Sequence, residues 1–180
     1  MGAEVATLDL RAMRLASGAA DRRIVTVPPI DLLSGGSEYV TDPAAPEVDV
    51  EISRSASGLH MRLRADVVLV GPCWRCVTEA RVPIRIDVGE FQSDGREGGS
   101  FDEDLDSAYI DEGRVELALW VRDSIAEALP AVILCRDDCA GLCPVCGGDR
   151  NEVACDCRVE STDPRWDALR EISERLGSEE

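Results

Sequence analysis

Residues 59–70 read Leu59-His60-Met61-Arg62-Leu63-Arg64-Ala65-Asp66-Val67-Val68-Leu69-Val70. Leu59, Met61, Leu63, Ala65, Val67 and Leu69 alternate with His60, Arg62, Arg64 and Asp66. A period of two sends one set to a buried face of a strand and the other to water. The same rhythm precedes this run in Glu47–Ser53, through Val48, Val50 and Ile52. It returns in Ala80–Phe91, through Val82, Ile84, Ile86 and Val88. Pro83 lies inside that third run, which suits an edge strand or a bulge. Ser55–Gly58 is short enough to close a hairpin. Three alternating runs with short links predict an antiparallel meander, open or partly closed into a barrel. Cys73 and Cys76 fall in the turn between the second and third runs.

Outward from this block the signals change. Leu8–Leu15 fits either a short helix or a strand, and Arg23–Val27 reads as a strand stopped by Pro28-Pro29. Leu32 to Pro46, rich in Gly, Ser, Asp and Pro, reads as a loop. Residues 90–112 hold nine acidic side chains against Arg96 alone. That predicts a solvated loop, either merely solubilising or an electrostatic dock for a basic partner. Val115–Leu129 carries an apolar stripe at helical spacing (Leu117, Trp120, Val121, Ile125, Ala128, Leu129), interrupted by Ser124 and stopped by Pro130. A C-terminal helix is expected from the Asp163-Pro164 start, with Trp166, Leu169, Ile172 and Leu176 on one side and Gly177 after it.

The fold class is therefore α+β: an antiparallel sheet with one packed long helix, a Cys-rich segment and a C-terminal helix. The expected domains are a β-rich part over 1–134, with acidic loop 90–112 and helix 115–129. A Cys-rich segment over 135–160 docks on it, and the terminal helix occupies 161–180.

Composition limits the chemistry. The chain has 180 residues, with 36 Asp and Glu against 19 basic residues, all arginine, for a net charge of −17. Without lysine there is no Schiff base and no phosphate-loop lysine. His60 is the one histidine, so a histidine triad has a single possible member. On the polar face of a strand it is expected to be solvated or at the core edge. No Ser/His/Asp grouping or dinucleotide fingerprint is present. Gripping a nucleic-acid backbone over a wide surface needs a basic face, which this charge opposes. No stretch approaches the ~18–20 apolar residues of a membrane span. Met1 to Arg23 lacks a basic region followed by an apolar run, so a cytoplasmic protein is expected.

In that compartment clustered cysteines point to metal or redox work. Cys73-Trp-Arg-Cys76 is followed by Cys135, Cys139, Cys143, Cys146, Cys155 and Cys157. Eight soft ligands divide into two four-thiolate sites, the usual form of structural zinc. Cys143-Pro-Val-Cys146-Gly147-Gly148 looks like a zinc knuckle, which Cys155 and Cys157 can close locally. That leaves Cys73, Cys76, Cys135 and Cys139 as site one, and makes Cys143, Cys146, Cys155 and Cys157 site two. Two zinc ions are expected. An iron–sulfur cluster would also take four cysteines. A thioredoxin-type pair would need a helix after Cys76, where β-structure is expected instead.

The residues also resemble a known family. Cys73-Trp-Arg-Cys76 after a strand is similar to the C-x-R-C of the YceD family, and the acidic stretch follows in the same order. Val115-Glu-Leu-Ala-Leu-Trp-Val-Arg-Asp-Ser-Ile-Ala-Glu-Ala-Leu-Pro130 resembles that family's long helix. Cys135-Arg-Asp-Asp-Cys139-Ala-Gly-Leu-Cys143-Pro-Val-Cys146-Gly147 resembles its C-x3-C-x-G-L-C-P-x-C-G block, with Cys155-Asp-Cys157 and Asp163–Leu169 following in order. The likeness covers residues 5–176. One departure is Gly148-Asp149-Arg150, where the family tends to an Ala-Asn-Leu type of run; Asn151 remains. The resemblance implies a bacterial protein, with plastid relatives, named for accumulation of large-subunit ribosomal RNA. It implies a non-enzymatic factor in rRNA processing or large-subunit assembly, and brings no catalytic residues.

Acidity then makes a basic ribosomal protein or an rRNA-associated assembly factor the expected partner. Arg62, Arg64, Arg81 and Arg85 fall on the polar faces of neighbouring strands. They are expected either to pair with acidic neighbours, the favoured outcome, or to form a narrow RNA-touching patch. The alternative class is a cytosolic redox or zinc sensor, in which oxidation of Cys73, Cys76, Cys135 and Cys139 releases metal.

Overall fold

A computed structural model describes residues 6–94, 106–158 and Leu169. The core of the acidic stretch and the expected C-terminal helix lie outside the described residues. The elements are β1 (Thr7–Asp9), α1 (Leu10–Met13), β2 (Ala20–Thr26), β3 (Asp31–Ser34), β4 (Ser37–Asp42), β5 (Glu47–Arg54), β6 (Gly58–Pro72), β7 (Glu79–Ser93), β8 (Ile110–Asp111), β9 (Arg114–Glu116) and α2 (Leu117–Glu127). The chain divides into two compact units, Met1–Cys139 and Ala140–Glu180.

The alternating run of residues 59–70 becomes the middle of β6. β7 pairs with it antiparallel along its full length, from Gly58↔Ser93 to Pro72↔Glu79. The opposite edge is shared. β5 takes the first part, from Arg54↔Leu59 to Asp49↔Arg64, and β4 takes the last, from Asp42↔Val68 to Val40↔Val70. β2 extends the sheet beyond β5, and β3 beyond β4. Leu59, Met61, Leu63, Ala65, Val67 and Leu69 are buried, with Val48, Val50 and Ile52 of β5 and Ile84 and Ile86 of β7 on the same face. Pro83, which has no N–H to give a second neighbour, sits on β7 at the sheet edge.

The α+β class and the meander β5–β6–β7 hold, but partial closure into a barrel does not. A barrel needs its outer strands to pair with each other. Among the described residues β7 pairs only with β6, β2 only with β5, and β3 only with β4. The sheet stays open because a helix covers its apolar face instead. α2 packs against β7, β1 and β3, burying Leu117, Trp120, Val121, Ser124 and Ile125. Ser124 is tolerated within that stripe because its hydroxyl donates to the Trp120 carbonyl at 2.7 Å. The helix is shorter than its apolar pattern, since Val115 and Glu116 belong to β9, in a small sheet ordered β1-β9-β8. Trp120 stacks with Tyr109 at 5.8 Å between ring centroids.

The expected loop at 32–46 is also corrected, because a hairpin occupies most of it. Gly35 and Gly36 have φ of 58° and 81° and link Ser34 to Ser37. Paired positive φ angles give the turn twist that matches the strands. The glycines were there to be read, but the surrounding Ser, Asp and Pro masked the alternation. The hairpin brings Tyr39 under the end of β6. Its hydroxyl donates to the Pro72 carbonyl at 2.8 Å, and a methyl group at Gly71 would lie 2.2 Å from the Tyr39 ring. Gly71→Ala should therefore lower unfolding stability by about 2–3 kcal/mol, the cost of forcing a well-packed site apart. Denaturant titration of the two forms measures it.

Candidate metal centres

The turn from β6 to β7 is built around sulfur. The Val77 N–H donates to the Cys73 carbonyl at 2.9 Å, and the Cys73 N–H donates to the Thr78 carbonyl at 2.8 Å. The Arg75 N–H points at the Cys73 sulfur, 3.4 Å away. Val77 completes the turn at φ +63°. The second knuckle repeats this backbone almost bond for bond. The Gly147 N–H donates to the Cys143 carbonyl at 2.9 Å, and the Cys143 N–H to the Gly148 carbonyl at 2.8 Å. Gly147 has φ +72°. Leu142 and Asp149 form an antiparallel bridge that closes the knuckle into a small loop.

The chain segment after α2 supplies the other half of the first group. Ile133 is buried, and its carbonyl accepts from the Trp74 N–H at 2.9 Å. This lays residues 133–139 beside the turn. The Arg75 guanidinium donates to the Cys139 carbonyl at 2.9 Å, tying the two halves together. Cys73, Cys76, Cys135 and Cys139 then have sulfurs all within 4.8 Å of one another. Cys73 and Cys139 stand 3.8 Å apart and Cys76 and Cys135 3.6 Å apart. Four thiolates on a tetrahedral zinc, with bonds of ~2.3 Å, stand about 3.8 Å apart. Cys143, Cys146, Cys155 and Cys157 form a second group with the same 4.8 Å limit. Here the order of the local chain does the work. Asp149 accepts from the Asn151 N–H at 2.8 Å, and the Asn151 side chain accepts from the Ala140 N–H at 2.8 Å.

All eight cysteines are free thiols, and both groups could hold a metal ion. Each group lies in one unit: the first ends at Cys139 and the second begins at Cys143. The groups differ in setting. Cys73, Cys76 and Cys139 are buried and Cys135 half-buried, whereas in the second group Cys143 is buried and Cys146, Cys155 and Cys157 are exposed.

Sulfur ionisation follows the geometry. Burial works to raise the Cys73 thiol, but N–H groups of Cys76, Arg75 and Cys135 outweigh it and lower it to about 6. N–H groups of Cys146 and Val145 likewise lower Cys143 to about 6. Cys135 is pushed up to about 12 by burial and by its hydrogen bond to Cys76. Cys157 is pushed up to about 12 by its bond to Cys146, and Cys155 is raised by its bond to Cys143. Without a cation, one sulfur of each group takes the charge and its neighbours keep protons to donate to it. A dication bound there would substitute for those protons.

Sequence reasoning grouped the cysteines but missed Arg75, Tyr39 and Thr78. Thr78 Oγ1 lies 2.9 Å from the Cys76 sulfur. Only the approach of residue 139 to residue 75 gives Arg75 its role. His60 takes no part; it lies on the outer sheet face against Phe91, with centroids 4.8 Å apart.

A β-branched residue at positive φ is strained by about 1–2 kcal/mol, and Val77 is 66% exposed. Val77→Gly should raise stability by about 1 kcal/mol, less glycine's extra chain entropy, in thermal or denaturant unfolding. In the metal-free chain, thiolate absorbance should rise first around pH 6, as Cys73 and Cys143 lose protons. Cys135 and Cys157 should still be protonated well above neutrality. Cys73→Ser should remove half of the early rise.

No solved structure matches the chain. It is similar to uncharacterized proteins of two strains of Mycobacterium tuberculosis and of Mycobacterium bovis, each 28% identical over 128 residues. The aligned part is 70% of this chain and only 61% of the length of those curated relatives. The family described as "Large ribosomal RNA subunit accumulation protein YceD" matches residues 60–173. That span runs from β6 through both cysteine groups and covers more than half of the chain, so the protein belongs to the YceD family.

Proposed function

We propose that this chain is a non-enzymatic, cytoplasmic, zinc-binding factor supporting large-subunit rRNA accumulation and ribosome assembly, acting through a basic protein partner. The family match carries this reading: its description names the accumulation of an RNA and no reaction. Zinc is favoured by the donor set, four sulfurs in each group and no histidine or carboxylate among them. Cys73, Cys76, Cys135 and Cys139 would hold one ion, and Cys143, Cys146, Cys155 and Cys157 the other. The first ion would link the β6–β7 turn to the segment after α2, so its binding energy would contribute to folding. No helix among the described residues is long and apolar enough to cross a membrane.

The outer face of the sheet supports a protein partner over bare RNA. Arg62 pairs with Asp87 at 2.6 Å and Arg64 with Glu51 at 3.3 Å. Arg85 lies 3.5 Å from Asp66, and Arg81 pairs with Asp42. These arginines are already engaged by carboxylates, so phosphate would have to displace them. Arg22 is likewise held by Asp49, whose carboxyl is thereby lowered below the usual carboxylate range. Metal does not reverse the balance: eight thiolates add −8 and two zinc ions +4, taking −17 to −21.

Metal analysis of the purified chain should find close to two zinc per molecule. Pull-down from cells at two salt concentrations should recover basic proteins and large-subunit precursors, with recovery falling as salt rises. Neutralising Glu97, Asp102, Glu103 and Asp104 to their amides should weaken that recovery. Salt-insensitive recovery, unchanged by the substitutions, would sink the electrostatic dock.

A further inference from the structure

We infer that the second cysteine group is an oxidation site: peroxide releases its metal ahead of the first group's, with a disulfide forming between Cys146 and Cys157. The inference rests on the zinc reading of both groups and reverses the sequence expectation, which placed the sensitive thiols in the first group. Access decides it. Oxidation of cysteine follows exposure and thiolate character, and zinc gives both groups thiolates. In the first group Cys73 and Cys139 are each 1% exposed and Cys76 is 4% exposed. Around them the Trp74 N–H is bonded to the Ile133 carbonyl, the Arg75 guanidinium to the Cys139 carbonyl, and the Thr78 hydroxyl to the Cys76 sulfur. In the second group Cys146, Cys155 and Cys157 are exposed, and the Cys157 sulfur lies within 4.8 Å of the Cys146 sulfur. Cys146 and Cys157 are thus both open to an oxidant and near enough for a small movement to join them.

The first group further resists because its ligands are bound to the fold. They come from positions 66 residues apart, held by the β6–β7 pairing on one side and α2 on the other. The second group's ligands span residues 143–157 and are held by short-range bonds, the Leu142↔Asp149 bridge and turn hydrogen bonds within residues 140–153, with no long strand pairing beneath them.

The chemistry balances with hydrogen peroxide as oxidant. The Cys146 thiolate attacks one peroxide oxygen, the O–O bond breaks, and hydroxide leaves a sulfenic acid behind. The Cys157 thiolate attacks that sulfur, the S–S bond forms, and a second hydroxide leaves. Two solvent protons convert both hydroxides to water. The sulfurs lose two electrons and one peroxide gains them. Zinc, left with two thiolates, departs.

The test uses the full chain, with its zinc counted before peroxide is added, and a chromophoric chelator to follow release. One equivalent should leave roughly tenfold or more faster than the other. Peptide mass mapping after the fast phase should find Cys146 joined to Cys157, with Cys73, Cys76, Cys135 and Cys139 unmodified. Cys157→Ser, which lacks one ligand of the second group, should hold close to one zinc before peroxide, released at the slow rate. Release of both equivalents at one rate, or oxidation of Cys73 or Cys139 first, would overturn the inference and leave the zinc reading standing. A chain holding no zinc at the start would overturn both.

Discussion

Along β6, fifteen residues are paired on one edge with β7 throughout, and on the other with β5 and then β4. Because side chains alternate with a period of two, this single register decides what is buried and what is wet. A slip of one residue would put Arg62 and Arg64 into the core and Leu63 into water. It would also move the β6–β7 turn, and with it the sulfurs of Cys73 and Cys76. The geometry of the first sulfur group is therefore an extension of strand register. Tyr39 under Gly71, with its hydroxyl on the Pro72 carbonyl, fixes the last step of the strand before the turn.

The two cysteine groups use the same knuckle for different ends. The backbone bonds around Cys73 and Cys143 match closely, down to a positive φ after the second cysteine. In the second knuckle that position is Gly147, which adopts it without strain. In the first it is Val77, where the surrounding pairing imposes the conformation on an unsuited residue. What completes each site also differs. The first draws on a distant segment and is sealed within the fold of its unit, whereas the second closes on residues that follow shortly in the chain and stays open to solvent.

The acidity of the chain acts at another level. It does not build the sheet, but it governs which surfaces remain available. The arginines of the outer face stand beside Asp42, Asp49, Asp66 and Asp87, so excess carboxylate consumes the positive charge locally. Surface pairs of this kind contribute little to stability. Their larger consequence is for recognition, since a phosphate backbone would have to compete for cations already paired.

The sequence by itself determined the alternation of β5, β6 and β7, the amphipathic core of α2 and the division of eight cysteines into a local set and a dispersed set. These are periodicities and spacings, which the chain carries wherever it lies. It did not determine that the sheet stays open, because closure depends on whether outer strands meet or a helix covers the apolar face. Nor did it reveal the β3–β4 hairpin as more than a Gly- and Ser-rich stretch, since Tyr39 shows its role only when it reaches Gly71 and Pro72. Arg75 is legible only as a residue between two cysteines until Cys139 arrives beside it. The unequal burial of the two sulfur groups is likewise a tertiary property: identical ligands differ because one set is enclosed by contacts between remote parts of the chain.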